Sequence, residues 1–112
     1  MKRGTTPVLK IKIGDIPNSN ISTIEFLFKQ VESESAPALV EKDYPGADVD
    51  YNATSNRYHV SLTEAESRLF LECRNFFMDT RVTLSNGKIV PTKIAKLFAD
   101  KTLFPGGDDD VD

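Results

Sequence analysis

Residues 80–97 have the sequence TRVTLSNGKIVPTKIAKL, which carries the clearest structural signal in the chain. Val82 and Leu84 alternate with polar neighbours, as in a strand that buries one face. The Asn86-Gly87 pair is typical of a two-residue hairpin turn, in which both residues take positive φ angles. This stretch therefore predicts two antiparallel strands joined by a tight turn.

The strands on either side of this turn are predicted at about residues 75–84 and 88–99. Pro91 marks an edge or a bulge in the second strand, because proline lacks the amide donor of a ladder. A helical interpretation competes with the first strand, because four side chains before and within it would share one helical face. We place a short helical turn near residues 63–70 and begin the strand after it. The four side chains are Leu69, Cys73, Phe76 and Phe77.

Upstream, other segments show the same alternation of apolar and polar side chains. PVLKIKIG at residues 7–14 and STIEFLFKQ at residues 22–30 each predict a strand. VDYNA at residues 49–53 and RYHVSL at residues 57–62 form a predicted hairpin around TSN. Thr63 and Glu66 then have the spacing of a capping box, in which hydroxyl and carboxylate each accept from a free backbone amide.

Six or seven antiparallel strands separated by turn signals predict an all-β fold, an Ig-like antiparallel β-sandwich with one short helical turn near residues 63–70. The chain of 112 residues is close to the common size of one domain. We expect this sandwich domain to occupy residues 1–104. Residues 105–112 contain Pro, Gly and clustered Asp, and are predicted to leave the domain as an acidic Gly/Asp tail.

Composition limits the possible partners and compartments. The net charge is −3, with 14 basic and 17 acidic residues, so the chain lacks the basic surface expected of a nucleic-acid-binding protein. No stretch approaches the roughly 20 apolar residues of a membrane span, and no secretory signal is visible. Cys73 is the only cysteine, which excludes an intrachain disulfide. These features predict no nucleic-acid or membrane partner, and synthesis in a reducing compartment.

The residue types that perform chemistry are sparse and poorly arranged. His59 is the only histidine and lies on the predicted outer face of a strand, where a solvated role is expected. Glu64 and Glu66, two residues apart on a helical turn, point in different directions. Alternate aspartates in the tail resemble the start of a calcium loop, but the required glycine and distal glutamate are absent. We therefore predict no catalytic residues, no metal site and no cofactor, and that the protein is not an enzyme.

Apolar side chains on the polar faces of the predicted strands are candidates for a protein interface. Leu27 and Phe77 are the two such positions, although sheets covered on both faces would also account for them. The opening MKRGTT, with Arg3 and Thr5, is a candidate arm that docks on a neighbour; a frayed terminus is the default interpretation. An alternative function is a ligand-binding module of carbohydrate type, with stacking platforms supplied by Tyr44, Tyr51 and Tyr58.

Four sequence motifs occur together in this order: MKRGTTP at residues 1–7, FKQ at 28–30, VSLTEAES at 60–67, and RVTLSNGKIVPTKIAKLFADKTLFPGG at 81–107. This layout resembles a group of small proteins encoded in prophages of Gram-positive bacteria, which share an Arg-Gly-Thr-Thr-Pro start. Residues 31–57 have no counterpart in the resemblance. Pro91, Lys93, Lys96 and Phe98 also depart from it, since a plainer β-branched strand is expected there.

The resemblance implies a β-sandwich that serves as a phage structural or assembly protein near the tail or baseplate. Such a protein acts through protein–protein contacts, by self-association or by binding other tail components. It would be made in the cytoplasm of the bacterial host and could be carried into the virion. The resemblance implies no catalytic residues.

Overall fold

The structure is a computed structural model and describes residues 1–103. The tail predicted at residues 105–112, with the last residue of the predicted domain, lies outside the described residues. A 3₁₀ turn at Asn18–Asn20 and a short helix α1 at Glu64–Ser67 accompany eight strands in the described part. The strands are β1 Val8–Ile11, β2 Ile21–Lys29, β3 Val40–Tyr44, β4 Val49–Asn52, β5 Arg57–Ser61, β6 Arg74–Leu84, β7 Ile89–Val90 and β8 Ala95–Ala99.

These strands form two antiparallel sheets, so the predicted all-β antiparallel sandwich is confirmed. The smaller sheet has the order β1-β5-β4, and the larger has the order β3-β2-β6-β7, with β8 also pairing with β6. The two packed antiparallel sheets agree with the Ig-like description. The strand order differs from that of Ig constant domains.

The core lies between the sheets because the inward positions of each strand are apolar at every second residue. Ile24, Phe26 and Phe28 of β2 are buried as the alternation predicts, and Phe76 and Met78 of β6 are buried beside them. The smaller sheet contributes further side chains to the same cluster, namely Val49, Tyr58 and Val60.

The Asn86-Gly87 turn differs from the prediction in type. Only Gly87 has a positive φ angle, 87°, so the predicted pair of positive φ angles is wrong. The Gly87 amide donates to the Leu84 carbonyl at 2.9 Å, and the Leu84 amide donates to the Lys88 carbonyl at 2.8 Å. Three residues therefore form the loop, with glycine in the left-handed position of a bulge, which is the next commonest hairpin connection.

The returning strand is interrupted, as the position of Pro91 suggested. β7 and β8 both pair with β6, but three β6 residues, 79–81, lie opposite four residues, 91–94, of the returning chain. This one-residue bulge shifts the register and splits the predicted single strand in two. The described part therefore has eight strands where about six or seven were predicted.

The bulge keeps a charged side chain out of the hydrophobic core. Before it, Val90 pairs with Val82 and shares its inward face. If the same register continued, Lys96 would lie opposite Phe76 and face the core, because paired residues share a face. The extra residue instead pairs Leu97 with Phe76 and sets Lys96 on the outer face.

The short helical turn and the long strand after it are both confirmed. The Thr63 hydroxyl accepts from the Glu66 amide at 3.1 Å, and the Glu66 carboxylate accepts from the Thr63 amide at 2.8 Å, which completes the predicted capping box. The helical interpretation of residues 69–77 fails because the chain turns before β6. Cys73 makes this turn with a φ of 55°, and its amide donates to Ala99 at 2.7 Å.

Replacing Cys73 by glycine is expected to raise the free energy of unfolding by about 0.5 kcal/mol. A left-handed conformation costs a non-glycine residue about 1–2 kcal/mol, and glycine offsets part of that gain through its freer unfolded state. Cys73→Ala retains the Cβ atom and removes only an exposed thiol, so its stability should match the wild type. Urea denaturation measures both; equal stability of the two variants would contradict the prediction.

No helix in residues 1–103 is long and apolar enough to span a bilayer.

Candidate functional site

The outer face of the larger sheet brings together the two apolar residues predicted from the sequence. Leu27 lies between the buried residues Phe26 and Phe28, and Phe77 lies between Phe76 and Met78, so both point away from the core. Lys29 pairs with Phe77 across the β2–β6 ladder. Leu27 and Phe77 are therefore diagonal neighbours on one surface, within reach of each other's side chains.

Two further apolar side chains extend this surface. Val31 follows β2 and is 52% exposed, and Ile94 lies in the bulge before β8 and is 46% exposed. With Leu27 and Phe77 they line a shallow hollow of about 410 Å³. We call these four side chains the outer-face patch. Val31 and Ile94 were not predicted from the sequence, because each lies outside a regular strand, where alternation gives no signal.

Charged groups surround the outer-face patch. Arg81 and Glu25 are cross-strand partners and form an exposed ion pair at 3.6 Å. The Lys29 ammonium group donates to the carbonyls of Ser33 and Glu34, at 3.1 and 2.9 Å, and so holds the loop after β2 against the sheet. An apolar centre with a polar rim is the usual anatomy of a protein interface.

Arg3 has partners within its own chain. Its guanidinium group donates to the carbonyl of Phe70 at 2.6 Å and to that of Arg68 at 3.0 Å, and it lies 3.8 Å from the Glu72 carboxylate. The backbone of residues 2–3 pairs with Asp100 at the end of β8. The N-terminal segment is therefore docked on its own domain rather than frayed.

Thr5 and its neighbours attach this segment to α1. The hydroxyl of Ser67, which is fully buried, accepts from the Gly4 amide at 2.9 Å and lies 3.0 Å from the Thr5 carbonyl. The Thr5 hydroxyl donates to the Lys2 carbonyl at 2.6 Å and is exposed. Neither Arg3 nor Thr5 lines the hollow of the outer-face patch, so the predicted interface residues fall into two separate regions.

Gly4→Ala is expected to destabilise the protein by about 1–2 kcal/mol. Gly4 has a φ of +74°, which costs any L-residue energy, and an added Cβ would lie 2.5 Å from the guanidinium group of Arg68. Gly14→Ala is the matched control, because Gly14 has a φ of +47° but open space around it. Urea denaturation should show a larger loss for Gly4→Ala, and equal losses would exclude a role for the Arg68 contact.

The three tyrosines considered as carbohydrate platforms pack against one another. Tyr58 is buried, with ring centroids 5.0 Å from Tyr44 and 4.9 Å from Tyr51. The Asn18 amide donates to the hydroxyls of Tyr58 and Tyr44, at 2.9 and 3.0 Å. Burial raises the pKa of Tyr58, against the opposing effect of this hydrogen bond. Tyr58 has no free ring face on which a sugar could stack.

A buried lysine is the main feature that the sequence analysis missed. Lys42 is 7% exposed, and its ammonium group lies 2.9 Å from both the Asp48 and Glu66 carboxylates. The alternation of β3 contains the signal, since Val40, Lys42 and Tyr44 share the face that packs inward. Lys42 thereby ties β3 to the capping box of α1.

The ion pairs shift two pKa values. Burial alone would lower the pKa of Lys42, but the hydrogen bonds to Asp48 and Glu66 outweigh it and raise the value. Burial alone would raise the pKa of Glu66, but the Thr63 amide and Lys42 hold it below its usual range. Both shifts favour the charged forms, which is the behaviour of a structural ion pair.

Residues with metal-binding or catalytic side chains stay dispersed. In residues 1–103, no three His, Cys, Asp or Glu side chains are grouped so that they could hold a metal ion. His59 lies on β5 between Lys10 of β1 and Asp50 of β4, and Cys73 is exposed at the start of β6. The outer-face patch, which joins the two apolar residues predicted from the sequence, is therefore the candidate binding site in the part of the chain that the structure describes.

No protein-family model, curated protein or solved structure matches the chain. Its function must accordingly be inferred from its own surfaces.

Proposed function

We propose that this protein is a non-catalytic structural or assembly component of the kind encoded in prophages of Gram-positive bacteria, and that it acts through protein–protein contacts at the outer-face patch. The likeness of its sequence layout to such proteins supports the prophage assignment, with a place near the tail or baseplate. The patch supports a binding role. Synthesis in the host cytoplasm and incorporation into the virion follow from the same assignment.

The observation that carries the binding role is the clustering of two exposed apolar side chains, Val31 and Ile94, with two half-buried ones, Leu27 and Phe77. Single exposed apolar residues are normal on any protein surface. Here β2, its following loop, β6 and the bulge before β8 each contribute one apolar side chain to the same hollow. Contiguous apolar surface rimmed by charges is characteristic of interaction sites.

The charges around the patch favour a second copy of the chain as the occupant. Along the outer face, Glu41 of β3 flanks Leu27 on one side, and Lys96 of β8 flanks Phe77 on the other. A two-fold axis parallel to the strands, between β2 and β6, would place β3 of one copy over β8 of the other. Glu25 would then face Arg81 across an isologous interface, and Lys96 would lie one diagonal position along the strands from Glu41.

Light scattering over a range of protein concentrations tests this proposal. We expect the wild type to be a dimer or a larger assembly, and the double variant Leu27→Asp and Phe77→Asp to be a monomer with an unchanged circular dichroism spectrum. Leu71→Asp is the control for a charge introduced at an apolar surface position, because Leu71 is exposed and lies outside the patch. A wild type that stays monomeric at every concentration, or a double variant that assembles normally, would overturn the proposal.

A further inference from the structure

A second, larger hollow lies along the open side of the sandwich, between β1 of the smaller sheet and β7–β8 of the larger. It has a volume of about 680 Å³. Its floor is apolar and includes Ile13, which belongs to the core, and Leu97, which packs against the core. Four of the residues that line it are lysines, Lys10, Lys12, Lys93 and Lys96. We call this hollow the lysine cleft.

The lysine cleft is a concentration of positive charge in an acidic protein. Its lining includes no Asp or Glu residue, and within residues 1–103 none of its four lysines makes an ion pair or a side-chain hydrogen bond. The chain as a whole has a net charge of −3. Lys10 and Lys96 are on the outer faces of the two border strands, and Lys12 and Lys93 lie in the segments beside those strands, so the four lysines form a rim around the apolar floor. A cationic rim around an apolar floor favours an anionic segment with apolar side chains.

Both borders of the cleft are sheet edges. In the described part of the chain, β1 pairs only with β5, and β8 pairs along its length only with β6. Lysines on such edges prevent uncontrolled pairing with other chains. Protection of the edges explains the lysines on these strands. It does not explain the apolar floor between the two edges.

We propose that the acidic tail, residues 105–112, docks in the lysine cleft of its own chain. Four of its last five residues are aspartates, Asp108, Asp109, Asp110 and Asp112, and the fifth is Val111. The aspartates supply the charge that complements the four lysines. Val111 supplies an apolar side chain for the floor.

The length of the tail is sufficient for this contact. Leu103 is seven positions after Lys96 and seven positions before Asp110. An extended segment of that length spans at most about 25 Å. The seven positions from Leu103 to Asp110 are therefore enough to cover the distance from Leu103 to Lys96.

The contact is expected to depend on salt. Exposed ion pairs are individually weak and are screened as ionic strength rises. Several pairs that act together with one apolar contact can hold the tail at low salt and release it at high salt.

Paramagnetic relaxation enhancement in the full chain tests this proposal. A spin label is attached at Gly107→Cys in a Cys73→Ser background, which retains Val111 and all four aspartates. At low salt we expect broadening of the backbone amide signals of residues 10–14 and 92–97, independent of protein concentration and lost at high salt. Broadening that grows with concentration would show docking on a second copy and overturn the proposal, as would broadening confined to residues near the label.

Charge reversal provides the second arm of the experiment. Lys12→Glu with Lys93→Glu is expected to abolish the broadening at residues 10–14 and 92–97, while the remaining amide spectrum shows that the fold is intact. Arg57→Glu with Lys88→Glu makes the same change in net charge at exposed positions outside the cleft, and should leave the broadening unchanged. Equal effects of the two double variants would mean that only overall charge matters, which would overturn the assignment to the cleft.

Discussion

Phe76→Ala is expected to lower the free energy of unfolding by about 3–5 kcal/mol, the usual cost of truncating a fully buried phenylalanine. Phe76 is fully buried on the central strand β6, with ring centroids 4.2 Å from Phe70 and 6.5 Å from Phe28. The substitution removes both ring contacts and leaves a cavity between the sheets. Because domains of this size are stable by only about 5–15 kcal/mol, the variant should unfold at much lower urea concentrations.

Two companion variants separate cavity formation from other effects. Phe76→Leu retains most of the volume and should lose about 1–2 kcal/mol. Phe98→Ala is the matched control, because Phe98 is on the outer face of β8 and is 45% exposed; its cost should stay below about 1 kcal/mol. If Phe76→Ala and Phe98→Ala destabilise equally in urea denaturation, the aromatic cluster is not the centre of the core.

The sequence was sufficient to predict the elements whose hydrophobic period is strict. Inward and outward side chains alternate along most of β2 and β6. The inward faces of these strands and the outward positions of Leu27 and Phe77 were therefore predicted correctly. The capping box at Thr63 and Glu66 is equally local, since both of its hydrogen bonds lie within four residues. Such features require no knowledge of the rest of the fold.

The features that were missed depend on contacts between distant segments. A glycine turn can close a two-residue or a three-residue loop, and here the choice follows from the need to place Val90 on the core face opposite Val82. The bulge at residues 91–94 then keeps Lys96 out of the core. Likewise, the contacts of Arg3 with Phe70 and Arg68 join residues more than 60 positions apart, which composition and spacing do not reveal.

Lys42→Met is expected to lower the free energy of unfolding by about 2–3 kcal/mol at neutral pH. Methionine retains the apolar stem but removes the charge that two carboxylates share, and leaves Glu66 half-buried beside Asp48 without a counter-ion. The loss falls below the roughly 3–5 kcal/mol of a fully buried pair because both carboxylates are partly solvated. Lys88→Met, at an exposed position, is the matched control and should change stability by less than about 0.5 kcal/mol.

The pH dependence of this loss distinguishes an ion pair from simple packing. The folded-state pKa of Glu66 is lowered, so its contribution is present above the ordinary pKa of glutamate and is lost as pH falls through the folded value. The folded-state pKa of Lys42 is raised, so its contribution is present below the ordinary pKa of lysine and is lost as pH rises through the folded value.

The stability difference between wild type and Lys42→Met should therefore be largest on a plateau between about pH 5 and pH 10, and should shrink toward both acid and alkali. Urea denaturation across that range measures it. A difference that stays constant from acid to alkali would mean that Lys42 stabilises the protein through its aliphatic stem alone. A plateau with losses at both ends means that the charge at the junction of β3 and α1 is what the fold requires.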